Sequence, residues 1–232
     1  MQGKVLGEAQ RGPGFKLTEE DVYKALAANP YGKPNTAKTW KDVNPALPAV
    51  AISVFGPPST SGTYDAFKEL ILGTGCDANP EMKALKASDA DKHEQVCTAL
   101  RGSPFYVEQG ENDNLIISKL DKNPTSLGIF GFSYLDANKD RIKAVPVQGV
   151  SPTYDTIAGG SYPGSRLLFI YVKKAHVGVV PGLADYVAEF LKGAAEGGYL
   201  APKGLIVSPK PVSDAATAAA KDMTPLNGSV LK

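Results

Sequence analysis

Ser59-Thr60-Ser61-Gly62-Thr63 form one run of small donors behind the stiff exit Gly56-Pro57-Pro58. Hydroxyls and backbone N–H groups gathered without bulk suit a small oxyanion, above all where a helix begins and its first amides lack partners. Gly62 carries no Cβ and lets the backbone come close to a ligand. Ser61 and Thr63 add hydroxyl donors, so such a cup can hold an anion without a countercharge. The competing reading is local. Ser and Thr ahead of a helix commonly cap it, and an SGT triplet alone does not separate the two.

Other reactive residue types are sparse. Cys76 and Cys97 stand with 20 residues between them, and two readings stay open. They form a disulfide, which belongs to an oxidising compartment and in the chain-entropy model stabilises by about 3 kcal/mol, or they are two unrelated buried thiols. The segment between them, DANPEMKALKASDADKHEQV, is polar and turn-rich, like a surface excursion pinned at its base. His93 lies in that segment, but no CxxC or HxxxH spacing accompanies it, so no metal site is expected. It reads as solvated. His176, after Lys173-Lys174, reads as a surface residue, and neither histidine has a carboxylate and nucleophile to work with. The GxSxG, GxxxxGK[ST] and GxGxxG patterns are absent. No enzyme and no cofactor is therefore expected, and a phosphoester hydrolase finds no catalytic set. Asp136, Asp140 and Asp155 scatter through loops, and Trp40, Tyr154 and Tyr162 fit packing better than a cleft.

The elements that would position the hydroxyl turn follow from hydropathy and punctuation. The chain has 232 residues, 43% hydrophobic, enough for one large domain or two small ones. Lys+Arg 25 against Asp+Glu 24 gives no electrostatic pull toward nucleic acid. No apolar run is long enough to span a membrane, and MQGKVLGEAQRG lacks the basic and apolar regions of a signal peptide. Residues 3–6 read as a strand. A helix follows Thr18 as N-cap, with acidic Glu19, Glu20 and Asp21 in its first turn and Val22, Ala25 and Leu26 on its apolar side. Residues 29–41 read as loop.

AVAISVF (49–55) alternates like a strand, and Phe67, Leu70 and Ile71 recur helically over 64–72. ENDNLIISKLDKNP offers Asn112 or Asp113 as N-cap and stops before Pro124. SLGIFGFSYL (126–135) reads as a buried strand, and RLLFIYVKK (166–174) as the strongest strand of the chain. PGLADYVAEFLKGAAEGG reads as a helix with Leu183, Val187, Phe190 and Leu191 on one face. Beyond Gly204 the chain is expected to wrap the surface or fray. Alternating strands and helices predict an α/β fold with at least partly parallel sheets, in which ligands bind where strands end and helices begin.

In this order and spacing, GPPSTSGTYDAF, ENDNLI, LGIFGFSYL and SYPGSRLLFIYVKKAHV resemble the phosphate-binding proteins of bacterial high-affinity phosphate ABC importers. FKLTEEDVYKAL, WKDVNPALP and the two cysteines extend the likeness over nearly the whole chain. The resemblance implies a type II periplasmic binding protein-like α/β fold, two lobes closing on one phosphate. It implies one complete lobe over residues 1–160, lobe two, and the C-terminal part of lobe one with a tail over 161–232. It implies ligand donors at Ser61 (hydroxyl), Gly62 (N–H) and Thr63 (hydroxyl and N–H), with Thr60, Tyr64, Asn112 and Asp113 as further candidates. Implied partners are inorganic phosphate and the membrane permease of an ABC importer, met in the periplasm by a monomer.

Two departures stand out. Relatives read GPPPTSGTRDAF, with arginine where this chain has Tyr64. A guanidinium offers charge and a two-pronged donor, a phenol one hydroxyl, so weaker binding or another ligand is expected unless Arg101 or Arg166 substitutes. In the family, roughly the first third lies upstream of GKVLGEAQRGPGF, so a truncated or split form with weakened binding is expected. The alternative is a non-transport interaction protein that kept the lobe and lost the ligand.

Overall fold

The structure, a computed structural model, describes residues 1–226 and is a mixed α/β fold. It divides into two compact units, Gly3–Ser165 on the one hand and Met1–Gln2 with Arg166–Lys232 on the other.

The larger unit is built on a sheet whose path runs β3-β2-β4-β1-β5. Its strands are β1 (Gln2–Ala9), β2 (Val54–Gly56), β3 (Tyr106–Glu108), β4 (Leu127–Gly131) and β5 (Ile142–Ala144). β2 runs parallel to β3 and to β4, and β1 runs antiparallel to β4 and β5. All five residues of β4 are buried, as befits a strand covered on both faces. The register pairs Lys4 with Gly131, so the start of β1 lies where β4 ends, on the edge toward which β2 also points.

Local signals explain the helices. α1 (Glu19–Leu26) starts at the Thr18 cap: Thr18 Oγ1 accepts from Asp21 N at 3.0 Å and Thr18 N donates to Asp21 Oδ2 at 2.9 Å. Val22, Ala25 and Leu26 are buried as expected. α2 (Trp40–Val43) stands at the end of the expected loop, because Thr39 and Asp42 make a second capping box. α3 (Gly62–Phe67) continues through a π-helical stretch, Lys68–Gly73, into α4 (Thr74–Cys76) and buries Phe67, Ile71 and Leu72.

The segment between the cysteines is a helical hairpin rather than a turn-rich excursion. α5 (Pro80–Ser88) is capped by Asn79 and α6 (Ala90–Thr98) by Asp89, which also ends α5. A Cys76–Cys97 disulfide, Cα–Cα 5.4 Å, ties α6 to the end of α4. α7 (Asn114–Lys122) ends before Pro124 as expected, and α8 (Phe132–Ala137) and α9 (Tyr154–Ala158) complete the unit.

Three strand expectations change. The strand expected over 49–55 shrinks to Val54–Gly56. The one expected over 126–135 ends at Gly131 and turns helical at Phe132. Of RLLFIYVKK only Arg166 is in a strand, and Leu168, Phe169, Ile170, Tyr171 and Val172 are exposed. β-propensity describes a fit to a pleated, half-buried surface, and among the described residues no strand pairs with 167–173.

In the smaller unit, α10 (Leu183–Ala194) buries Val187 and half-buries Leu183, Phe190 and Leu191, the expected face. α11 (Lys210–Lys221) packs against it, where wrapping or fraying was expected; KPVSDAATAAAK is alanine-rich and helix-favouring. The part of that expectation covering 227–232 lies outside the described residues. No helix of the described residues is long and apolar enough to cross a membrane.

Candidate functional site

The hydroxyl turn leaves the sheet at the end of β2. A Cβ on Gly56 would stand 2.3 Å from the Tyr106 hydroxyl, so glycine is what lets that ring pass the strand. The hydroxyl then donates to Pro57 O at 2.7 Å and fixes the exit. Ser61 N donates to Pro58 O at 2.9 Å, and Ser61 Oγ accepts from Thr63 N at 3.2 Å. The capping reading is thus present at Ser61. Capping uses the oxygen; the Ser61 hydroxyl proton remains a donor. Gly62 opens α3 and is exposed, while Thr63 turns inward and is buried.

The expectation of a turn without a countercharge meets a different environment. Lys4, on β1 and only 5% exposed, donates from Nζ to Thr63 Oγ1 at 2.8 Å. Asp113, 8% exposed, accepts at Oδ2 from Gly131 N at 3.0 Å. Burial pushes the Asp113 carboxyl above its ordinary range; the Gly131 amide and the Lys4 charge pull it back, and Glu111 pushes it further up. The antiparallel register is what brings Lys4 here, opposite Gly131. Lys4 was missed because a lysine in a short strand reads as a solvent-facing residue. The available signal was its place in KVLGEA, where apolar residues and glycine leave no exposed face; every residue from Gly3 to Ala9 is buried.

A hydroxyl accepting from an ammonium keeps its own proton and is polarised by the charge behind it. The Thr63 hydroxyl is therefore a stronger donor than an isolated one, and Lys4 supplies positive charge without reaching the surface.

The other candidates are distributed around this core. Thr60 is exposed and its hydroxyl donates to Glu111 Oε1. Tyr64 is half-buried, edge-on to Tyr106 with ring centroids 6.0 Å apart, and Lys68 Nζ lies 5.0 Å from its centroid. Burial raises the Tyr64 phenol, and the Glu108 and Asp65 charges add to that. Asn112 is exposed and its Oδ1 accepts from Asn114 N at 3.0 Å.

Arg101 does not replace the relatives' arginine. It is buried over the Phe105 ring, with its guanidinium carbon 3.1 Å from the centroid, and Nη1 donates to Ala25 O at 3.1 Å. Arg166 belongs to the smaller unit. His93 is not solvated: it is buried, and its Nε2 lies 2.7 Å from Asp77 Oδ1. His176 is exposed as expected. A groove of about 360 Å3 elsewhere in the larger unit is lined by Phe132, Leu135 and Ile142 together with Asp136, Lys139, Lys143 and Tyr154, and holds none of the turn's residues.

With that geometry in hand, likeness to known proteins is informative. The phosphate-binding protein PstS of Staphylococcus saprophyticus is 32% identical over 174 residues, 71% of this chain and 46% of that protein. PstS of Staphylococcus epidermidis is 31% identical over 179 residues, 75% of this chain and 46% of that protein. The chain thus spans about half the length of the curated relatives it matches. Among solved structures, a possible phosphate binding protein from Planctomyces limnophilus superimposes with a TM-score of 0.66 at 23% identity, over 97% of this chain and 70% of that one. PstS from Borrelia burgdorferi gives 0.52 at 20% identity, over 79% and 63%. These two likenesses concern the fold. The sequence profile of the PBP superfamily domain matches residues 5–193, and the chain belongs to that superfamily.

Proposed function

We propose that this chain binds inorganic phosphate at the Ser61-Gly62-Thr63 turn and delivers it, without a chemical step, to the membrane permease of an ABC importer. The observation that carries the reading is the buried Lys4 ammonium on Thr63 Oγ1, which sets a positive charge and a polarised hydroxyl behind the turn. The names of the staphylococcal relatives, phosphate-binding proteins, supply the ligand class. In this reading the Ser61 and Thr63 hydroxyls and the Gly62 and Thr63 amides hold phosphate oxygens. The Thr63 amide shares its proton between Ser61 Oγ and the ligand. Thr60, Tyr64, Asn112 and Asp113 line the approach. The protein acts in the periplasm as a monomer, with residues 1–160 as the lobe that carries the turn.

Equilibrium dialysis of the whole chain against radiolabelled phosphate, with sulfate as competitor, tests this. One saturable site is expected. Ser61→Ala and Thr63→Val should each weaken it about tenfold, the range for losing one hydrogen bond to a charged ligand. Absence of saturable binding by the folded wild-type chain would overturn the reading and leave an interaction protein that kept the fold.

A further inference from the structure

The region around Cys76 lies apart from the phosphate turn and holds a second set of chemically capable side chains. Cys76, His93 and Cys97 are all buried, and one ligand atom from each lies within 4.8 Å of the other two. They come from the end of α4 and from α6 at positions 93 and 97, one helical turn apart on one face. The sequence shows no CxxC spacing because the hairpin of α5 and α6 is what folds position 97 back onto position 76.

His93 is not free to rotate. Its Nε2 is 2.7 Å from Asp77 Oδ1, and Asp77 also meets Lys86 Nζ at 3.3 Å. An imidazole fixed at one ring nitrogen by a carboxylate presents the other, here Nδ1, as an oriented donor to a metal; most histidine metal ligands have such an outer partner. Two sulfurs and one imidazole, with a fourth position left for water, make a set that suits Zn2+.

We propose that the Cys76–Cys97 disulfide and a zinc site at Cys76, Cys97 and His93 are alternative states of one locus. The oxidised state ties up both sulfurs. A dithiol reductant delivers two electrons and two protons: the S–S bond breaks, two thiols form, and the reductant leaves as its own disulfide. Zn2+ then binds both sulfurs as thiolates and His93 as neutral imidazole, releasing the two thiol protons. Asp77 is a positioning residue that holds the imidazole, and water fills the fourth position.

The test uses the full chain, oxidised or reduced with a phosphine that does not bind metal strongly, titrated with Co2+ as a spectroscopic stand-in and then with Zn2+. The reduced protein is expected to take up one Co2+. It should show a thiolate-to-cobalt charge-transfer band and intense tetrahedral d–d bands, both bleached by one equivalent of Zn2+; the oxidised protein should show neither. His93→Gln should lose the tetrahedral spectrum, and Asp77→Asn should bind about 10–100-fold more weakly. Circular dichroism of the oxidised variants identifies any that fail to fold. Zn2+ should raise the melting temperature of the reduced wild type, since the folded form, with its three ligands already gathered, binds it more tightly than the unfolded chain. No stoichiometric uptake by a folded reduced chain, or uptake unchanged in Cys97→Ser, would overturn the proposal.

Discussion

Burial takes water away from Lys4 and leaves Thr63 Oγ1, 2.8 Å from its ammonium, among its acceptors. A hydrogen bond to a charged group contributes about 1.5–3 kcal/mol, so Lys4→Met should weaken phosphate binding about tenfold or more. A competition assay on chains with unchanged circular dichroism checks this. Tyr64→Arg restores the relatives' residue and should tighten binding severalfold, about 1 kcal/mol, read in the same assay. Asp113 makes a pH prediction. Its carboxyl is raised chiefly by burial, so the folded chain holds that proton more tightly than the unfolded chain. The stabilisation is complete below the ordinary carboxylate range and is lost as pH rises through the raised value. Asp113→Asn should lack that fall in melting temperature with pH.

At the scale of elements, close approach and cross-linking govern the larger unit. A Cβ on Gly75 would stand 2.2 Å from the backbone oxygen of Glu19, so α4 packs on α1 at a distance only glycine allows. Gly75→Ala should lower stability by about 1–3 kcal/mol, the usual cost of overpacking, read from denaturant midpoints. Cys76→Ser with Cys97→Ser should lower it by about 3 kcal/mol. Much at this scale was legible beforehand. The Thr18 cap, the apolar faces of α1 and α10 and the stop before Pro124 are local signals, and local hydrogen bonds decide them. The strand at 166–174 was misread because its apolar run needs a partner strand that sequence periodicity does not supply. The extent of α8 was missed because glycine punctuation at Gly131 masks a change from strand to helix. Lys4 was missed for the reason that made it informative: its neighbour, Gly131, is 127 residues away and is set by register alone.

For the whole molecule, the exposed run Leu168–Val172 is the feature most at odds with solubility. Short apolar β-prone segments without charge promote association. Phe169→Lys should therefore reduce concentration-dependent aggregation in light scattering and leave the thermal midpoint unchanged. The central claim, that a hydroxyl turn backed by a buried cation holds a tetrahedral anion, is tested most directly by calorimetric titration of phosphate into phosphate-stripped protein, wild type and Thr63→Val side by side. One site that is saturable in the wild type and at least tenfold weaker in the variant is the predicted result. Equal binding by both, or no heat from a folded wild-type chain, would contradict it.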